Sequence, residues 1–248
     1  MARWGRALSL LRRTAPPGAR VLDLGCAFGY GTRGIARHYD TDGLDASPAY
    51  IRRARRAVPA ARFTLGVAER LPYPDARFDA VVMLDVLEHV ADERAAVAEI
   101  ARVLRPGGLV IVSVPHTGWL RWADSLNVYA WLTGEDALAP PGTPATSASF
   151  HRHYSLGALR HLFGERFSVD YVHTSALGLA EAANLALLLL CKRVPRAAPL
   201  YDALQYLYFG LYILEDVLHV PRAGYHLMIA LRHCDTLECA PSPDTMQG

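Results

Sequence analysis

The fold can be predicted from one segment of the chain, Val21-Leu-Asp-Leu-Gly-Cys-Ala-Phe-Gly-Tyr-Gly-Thr32. It opens with an apolar run over 21–24, which predicts a buried strand, and continues into a turn of small residues. A helical pattern follows the turn. A strand, a glycine-rich turn and a helix in this order form the first unit of a doubly wound α/β sheet, which binds nucleotide-like ligands at that turn.

The residues of the turn indicate how a ligand is held. Gly25 and Gly29 can adopt backbone angles that side chains forbid, so a ligand can lie against the main chain. An acidic residue is expected about 20 positions later, at the end of the next strand, where it accepts hydrogen bonds from ribose hydroxyls. Asp45 stands at that position. The dinucleotide pattern G-x-G-x-x-G matches only over 29–34, too far from the strand to indicate a dinucleotide.

Composition fits a globular protein and does not require a polyanionic partner. The chain has 248 residues, 52% of them hydrophobic, and a net charge of +2, so nothing in the charge demands a polyanion. We predict a single domain over 1–233 and a disordered tail over 234–248. Two insertions are expected within the domain, a lid over 118–154 with a mobile loop, and an apolar helical insertion over 176–220.

Further segments extend the first motif in a recognisable order: Asp45, Glu69-Arg-Leu-Pro-Tyr-Pro-Asp75, Phe78-Asp79, Leu87-Glu-His-Val90 and Leu104-Arg-Pro-Gly-Gly108. With Asp23-Leu-Gly-Cys-Ala-Phe-Gly29, they resemble the class I S-adenosylmethionine-dependent methyltransferases, closest to the type 11 branch that contains quinone-biosynthesis enzymes. The resemblance implies a Rossmann-like sheet of seven strands, the last antiparallel, and S-adenosyl-L-methionine as cofactor. Ala27 replaces the middle glycine of the family motif D-x-G-x-G-x-G.

The resemblance also implies the residues that bind the cofactor. These are Asp23, Gly25, Ala27, Gly29, Asp45, Ala46, Ala68, Glu69 and Leu84. The family usually has G-D-A after strand 3, where the acid lies near the adenine amino group, but this chain has Gly66-Val-Ala68. Val67 cannot accept that hydrogen bond, so the backbone of Ala68 or the side chain of Glu69 is expected to replace it.

Histidines supply the candidate catalytic bases. Methyl transfer often needs a proton to be removed from the acceptor, and the pKa of histidine lies near working pH. His89 and His116 follow strands 4 and 5, and His151 and His153 flank the loop of the first insertion. We take His89, His116 and His153 as the catalytic candidates; a reaction driven by orientation alone stays open as the alternative.

A divalent metal is a second open question. The stretch Asp85-Val-Leu-Glu88-His89 resembles the E-x-x-E-H metal motif of quinone O-methyltransferases and of RNA 2′-O-methyltransferases that act on small-RNA ends. Asp85 stands where that motif has its first glutamate. Leu-Glu-His is also widespread in the branch without a metal, so no metal ligand is included among the predicted site residues.

The expected function is methyl transfer to a hydrophobic or lipid-like small molecule, at oxygen or carbon. No Asn/Asp-Pro-Pro-Tyr motif follows strand 4, which argues against methylation of a base amino group and against a nucleic-acid partner. The aromatic and aliphatic insertions favour an apolar acceptor. Two rivals stay open: a non-catalytic protein that binds the cofactor, and a metal-assisted RNA 2′-O-methyltransferase.

The two helices predicted over 176–220 are too apolar to face solvent, so their apolar surface is expected to be buried. A membrane-spanning helix needs about 20 mostly apolar residues, and charged residues interrupt both apolar runs before that length. A substrate cap, a homodimer contact or a shallow membrane contact would each satisfy it, the last using Tyr206, Tyr208, Phe209 and Tyr212. With no signal-peptide pattern and no close Cys-x-x-Cys pair, we expect a reduced, cytoplasmic protein, with peripheral membrane association left open.

Overall fold

A computed structural model describes residues 2–118, 121–122, 124–137, 143–146, 150–193, 204, 210–211, 214–215, 220 and 224–234. Within these ranges the helices are α1 (Ala2–Thr14), α2 (Tyr30–Ile35), α3 (Pro48–Ala57), α4 (Glu93–Val103), α5 (Ser125–Thr133), α6 (Leu156–Phe163) and α7 (Leu179–Arg193). The strands are β1 (Arg20–Leu24), β2 (Asp40–Asp45), β3 (Arg62–Leu65), β4 (Phe78–Leu84), β5 (Leu104–Pro115), β6 (Phe167–Ser175) and β7 (His226–His233).

The strands form one seven-stranded sheet in the order β3-β2-β1-β4-β5-β7-β6. β1, β2, β3, β4 and β5 pair in parallel, and the last strand is antiparallel. The order reverses between β1 and β4, and ligands of such sheets bind beyond the carboxyl ends of the strands at this reversal. The predicted fold class is confirmed.

Apolar periodicity explains which elements form the core of the sheet. β4 is a nearly continuous apolar run and is almost fully buried, as expected for a strand covered on both faces. One buried cluster joins α1 and α2 to the central strands, and a separate cluster packs α3 against β3. Ser47 and Asp92 accept hydrogen bonds at the starts of α3 and α4, so each caps its helix.

The chain divides into two compact units, and each is described by itself. Unit 1 lies within Met1–Arg3, Val114–Ser155 and His173–Leu227, and unit 2 within Trp4–Ser113, Leu156–Val172 and Met228–Gly248. Both predicted insertions fall in unit 1. The single domain over 1–233 stays a prediction, and the tail beyond residue 234 lies outside the described residues.

Unit 1 joins the two insertions through buried polar contacts. Glu181 of α7 accepts hydrogen bonds from the backbone N–H and the hydroxyl of Ser125, at 3.2 and 2.6 Å. Burial raises the pKa of the Glu181 carboxyl, and the two bonds from Ser125 oppose this shift. Glu215 accepts the first backbone N–H groups of α7, from Leu179 and Ala180, at 2.8 and 2.9 Å. These bonds fix α7 against α5 and cap its N-terminus.

Parts of the insertions lie outside the described residues, and the lid stays a prediction. In the predicted mobile loop, the backbone N–H of Asp136 donates to Thr143 at 2.8 Å, and Glu135 bridges Pro144. Of the second apolar helix, only 204, 210–211 and 214–215 are described, and these are helical. The four aromatic residues proposed for membrane contact lie outside the described residues. None of the helices in the described part of the chain has the length and apolarity to cross a membrane.

Cys26 is a free, buried thiol. The expected reduced state of the protein stays a prediction.

Candidate functional site

The turn after β1, here called the cofactor loop (residues 25–29), has the backbone that its small residues were predicted to allow. Gly25, Ala27 and Gly29 have φ of 79°, 44° and 84°. At Gly25 an added Cβ would collide with the side chain of Val86, so the position needs glycine for space as well as for conformation. Ala27 carries a side chain in the left-handed region, which costs roughly 1–2 kcal/mol.

Asp45 lies at the end of β2 and holds two loops. Its Oδ2 accepts the backbone N–H of Ala27 at 2.9 Å, and its Oδ1 accepts that of Ser47 at 2.8 Å. A carboxylate has about four lone-pair positions, so two remain for ribose hydroxyls. The predicted ribose ligand therefore also fixes the cofactor loop, a role that its position in the sequence did not reveal.

Asp23, on β1, is a buried acid with one oxygen satisfied. It is 1% exposed, and the Thr32 hydroxyl donates to its Oδ2 at 2.5 Å. Its Oδ1 has no hydrogen-bond partner among the described residues. Burial, with a contribution from the charge of Asp45 and against the bond from Thr32, raises the pKa of Asp23 to about 7. A cationic ligand group beside Oδ1 would return the carboxyl to its ionised form, so this residue fits a cofactor with a sulfonium and an ammonium group.

The remaining predicted cofactor residues surround the loop with different exposures. Ala68 and Leu84 are buried, and Ala46 is exposed. Glu69 accepts the backbone N–H of Ala91 at 2.9 Å, so its carboxylate holds the loop before α4. This occupation of Glu69 leaves the backbone of Ala68 as the favoured prediction for the adenine contact.

The segment after β4 contains the residues of the open metal question. Asp85 has φ of 56°, and the Ser113 hydroxyl donates to its Oδ1 at 3.2 Å. Glu88 is buried and His89 is exposed. In the described part of the chain, no three His, Cys, Asp or Glu side chains are grouped so that they could hold a metal ion.

His116, the second candidate base, follows β5. Its Nδ1 lies 3.0 Å from the carbonyl oxygen of Gly224, and its backbone bridges Tyr154. Because a carbonyl can only accept, Nδ1 carries the proton, and the lone pair of the neutral ring is on Nε2. The contact fixes the tautomer and leaves Nε2 as the nitrogen able to accept a proton.

His153, the third candidate base, belongs to a set of side chains gathered by one carboxylate. This Asp124 cluster comprises Asp124, His151, His153 and Tyr225, all in unit 1. Asp124 is 1% exposed, and its Oδ1 caps α5 by accepting the N–H groups of residues 126 and 127, at 3.1 and 3.0 Å. Its Oδ2 accepts the Tyr225 hydroxyl at 2.9 Å, and lies 3.3 Å from His151 Nδ1 and 3.4 Å from His153 Nε2.

The electrostatics of the Asp124 cluster pair an ionised acid with a neutral imidazole. Burial alone would raise the pKa of Asp124, but His151, the helix N–H groups and Tyr225 outweigh it and lower the pKa. Burial lowers the pKa of His153, and the Asp124 charge opposes this only in part. At neutral pH the cluster therefore holds a carboxylate beside an imidazole that can accept a proton.

Sequence reasoning found His153 and noted His151, but missed Asp124 and Tyr225. An aspartate directly before an apolar helix is a recognisable N-cap signal, so the local role of Asp124 could have been predicted. Asp124 and Tyr225 are 101 positions apart in the sequence, and a local sequence pattern cannot predict a contact between residues so far apart.

Comparisons with known proteins agree with this geometry. Residues 22–112 match the family model described as a methyltransferase domain. The chain is 35% identical over 118 residues to the 2-methyl-6-phytyl-1,4-hydroquinone methyltransferase of Synechocystis sp., covering 46% of this chain and 36% of that protein. It is 33% identical over 150 residues to the malonyl-[acyl-carrier protein] O-methyltransferase of Serratia marcescens, covering 59% of this chain and 58% of that protein.

A solved structure extends the similarity beyond the matched segment. A putative sarcosine dimethylglycine methyltransferase from Galdieria sulphuraria superposes with a TM-score of 0.63 at 18% identity, covering 94% of this chain and 85% of that chain. At this identity the similarity establishes the fold alone. The chain spans less than two thirds of the length of the two curated relatives.

Proposed function

We propose that the protein is a class I S-adenosylmethionine-dependent methyltransferase that transfers a methyl group to a hydrophobic or lipid-like small molecule, at oxygen or carbon. The match of residues 22–112 to the methyltransferase-domain model supports this proposal. The family and the cofactor predicted from the sequence agree with this match. When bound, S-adenosylmethionine supplies an electrophilic methyl group on a sulfonium. The acceptor, the atom methylated and the catalytic residues are parts of the proposal.

One observation supports cofactor binding above the others, the arrangement of Asp23 and Asp45 around the cofactor loop. Asp45 keeps lone pairs for ribose hydroxyls beside the cofactor loop, and the small residues of that loop let a ligand lie against its backbone. Asp23 offers a buried carboxylate oxygen, Oδ1, that a cationic group of the ligand would pair with. Hydroxyl donors and a cationic group are features of S-adenosylmethionine. We propose that these two carboxylates, with Gly25, Ala27 and Gly29, bind the ribose and the charged end of the cofactor.

The surface of unit 1 supports an apolar acceptor. Trp122 and Trp131 are each 75% exposed, and Leu179 and Leu190 of α7 are also exposed. Large apolar side chains on the same unit of a soluble domain mark surfaces that meet apolar partners. The Synechocystis relative is named for a hydroquinone that carries a phytyl chain, which is consistent with a lipid-like acceptor here.

The proposed activity is tested by methyl transfer from radiolabelled S-adenosylmethionine to quinones that have been extracted from bacterial membranes and chemically reduced. We expect label in the organic phase with the wild-type protein and none with Gly25→Val, which blocks the cofactor loop. His161→Gln, an exposed position on α6, is the matched control and should retain full activity. Cofactor binding without label in any product would support the non-catalytic rival instead.

The exposed tryptophans also favour a shallow membrane contact for unit 1 among the alternatives left open. Indole rings partition to the bilayer interface because they combine an apolar body with a polar N–H group. We expect the protein to float with liposomes, and the double variant Trp122→Ser/Trp131→Ser to bind them at least tenfold more weakly. If the variant floats as well as wild type, these two tryptophans do not mediate membrane binding. A molecular mass in solution that increases with protein concentration would favour a dimer contact instead.

A further inference from the structure

One surface of unit 2 carries a concentration of positive charge that the proposed methyl transfer does not use. Helices α1, α2 and α3 contain no aspartate or glutamate. Exposed arginines on these helices and on the turn after α2 form what we call the arginine surface: Arg12, Arg13, Arg33, Arg37, Arg52, Arg53, Arg55 and Arg56. The three helices therefore present positive charge with no acidic residue among them.

The three helices lie side by side, so their arginines belong to one continuous part of unit 2. A Cβ added at Gly34, which follows the first turn of α2, would lie 3.1 Å from the side chain of Leu8 on α1. The guanidinium of Arg33, also on α2, donates to the carbonyl oxygen of Ala57 at the end of α3, at 3.1 Å. Helix α2 thus connects α1 to α3.

The arginine surface differs from the rest of unit 2 in having no counter-charges. Elsewhere in this unit arginines pair with carboxylates, as Arg62 does with Asp42 at 2.8 Å. No arginine of the surface forms an ion pair with a carboxylate of the described residues. The helix dipole favours arginines in a last turn, but Arg52 and Arg53 lie in the middle of α3. Like charges on one surface repel each other, and an anionic partner would relieve that repulsion.

Exposed aromatic rings border the arginine surface. Phe28 in the cofactor loop, and Tyr30 and Tyr50 at the starts of α2 and α3, are between 42% and 49% exposed. The Arg53 guanidinium lies over the Phe28 ring, 4.8 Å from its centroid, and the Tyr50 ring meets Phe28 edge to face at 6.4 Å. Rings packed on a guanidinium and on each other are poor platforms for stacking nucleobases. Half-exposed rings beside arginines are instead typical of surfaces that enter the headgroup region of a bilayer.

We propose that the arginine surface binds the anionic headgroups of a phospholipid bilayer, with the rings of Phe28, Tyr30 and Tyr50 at the headgroup level. The planar guanidinium groups present N–H donors that match the oxygens of lipid phosphates. A bilayer with net negative charge attracts such a cluster more strongly than a zwitterionic one does. This inference goes beyond the proposed methyl transfer and does not require it. It assigns a membrane contact to a different unit from the one that carries the exposed tryptophans.

Flotation with vesicles, without cofactor, tests the proposal. The vesicles contain either phosphatidylcholine alone or phosphatidylcholine mixed with anionic phosphatidylglycerol. Each arginine near an anionic surface contributes about fivefold to binding, so wild type should bind the mixed vesicles at least about 100-fold more tightly. Raising NaCl from about 0.1 M to about 1 M shortens the screening length from about 10 Å to about 3 Å and should remove most of this difference. Equal binding to both kinds of vesicle at low salt would overturn the inference.

The decisive variant is Arg52→Gln/Arg56→Gln. Both side chains are exposed, lie one helical turn apart and make no hydrogen bond or ion pair with another described residue, so the fold should be unaffected. Binding to mixed vesicles should weaken about 25-fold and binding to neutral vesicles should not change. Arg52→Lys/Arg56→Lys keeps the charge and should bind mixed vesicles within about threefold of wild type. The control double variant, Arg94→Gln/Arg160→Gln, makes the same charge change at exposed positions on α4 and α6 and should also stay within about threefold.

The other outcomes separate this surface from its rivals. Trp122→Ser/Trp131→Ser should weaken binding to both kinds of vesicle by the same factor, because a tryptophan contact does not depend on headgroup charge. A loss in the control double variant as large as in Arg52→Gln/Arg56→Gln would show an effect of net charge alone and overturn the inference. Binding to single-stranded poly-uridine that requires Arg52 and Arg56, with vesicle binding unchanged in the variant, would assign the surface to nucleic acid and overturn it too. Vesicle binding as expected, by a protein that transfers no methyl group, would overturn the proposed function alone.

Discussion

Asp23→Asn should stabilise the protein, and the gain should depend on pH. The folded state raises the pKa of this carboxyl from 3.8 to about 7. Below about pH 4 the acid is protonated in both the folded and the unfolded chain, so it carries no pH-dependent cost. As the pH rises toward 7, the unfolded chain releases the proton and the folded chain retains it, so folding is progressively penalised. Above about pH 7 the penalty is complete and constant.

The size of the penalty follows from the two pKa values. The interval from 3.8 to about 7, at about 1.4 kcal/mol for each unit, corresponds to about 4 kcal/mol. Solvent does not screen this value appreciably, because the side chain is 1% exposed. Asparagine has the same shape and cannot ionise, and its oxygen can still accept the Thr32 hydroxyl. Its unfolding free energy relative to wild type should therefore increase by about 4 kcal/mol between pH 4 and pH 8.

Urea unfolding followed by circular dichroism at five pH values measures this difference. The quantity compared is the unfolding free energy of the variant minus that of wild type, followed from pH 4 to pH 8. A change in hydrogen bonding that does not depend on pH contributes equally at every pH, so it does not affect the result. Asp75→Asn is the control, because that carboxylate is 79% exposed, and it should vary by less than about 1 kcal/mol. A difference between Asp23→Asn and wild type that stays constant from pH 4 to pH 8 would refute the reasoning. The same variant should bind S-adenosylmethionine at least tenfold more weakly.

Three other substitutions test the cofactor loop. Asp45→Ala removes the acceptor for the N–H groups of Ala27 and Ser47 and should cost about 2–3 kcal/mol of S-adenosylhomocysteine binding by calorimetry; unchanged affinity would exclude the ribose assignment. Ala27→Gly should raise the unfolding free energy by about 0.5–1 kcal/mol, because glycine adopts the left-handed backbone of this position without strain. A lower unfolding free energy in this variant would contradict the idea that Ala27 is strained. Gly25→Ala should lower the unfolding free energy by about 2 kcal/mol or more, because the added Cβ would collide with the side chain of Val86. The double variant Gly25→Ala/Val86→Ala should recover part of this loss, because it removes the atoms of Val86 that collide.

The sequence by itself determined the sheet and the cofactor loop. The reason is that this information is local: an apolar run indicates a buried strand, small residues indicate a turn, and Ser47 before Pro48 indicates a helix start. Even the offset from Gly25 to Asp45 is set by one strand–helix–strand unit. The family resemblance added the order of the distant strands, which periodicity alone does not supply.

Only the tertiary structure decided which side chains share a buried environment. The pKa of Asp23 depends on desolvation by the surrounding sheet and on the charge of Asp45, and neither is visible in the local sequence. The exposure of His89, the carbonyl partner of His116 and the gathering of His151 and His153 around Asp124 are likewise products of packing. Electrostatic interactions and hydrogen bonds depend on distance in space, and the chain brings these groups together only after the sheet and its insertions have folded.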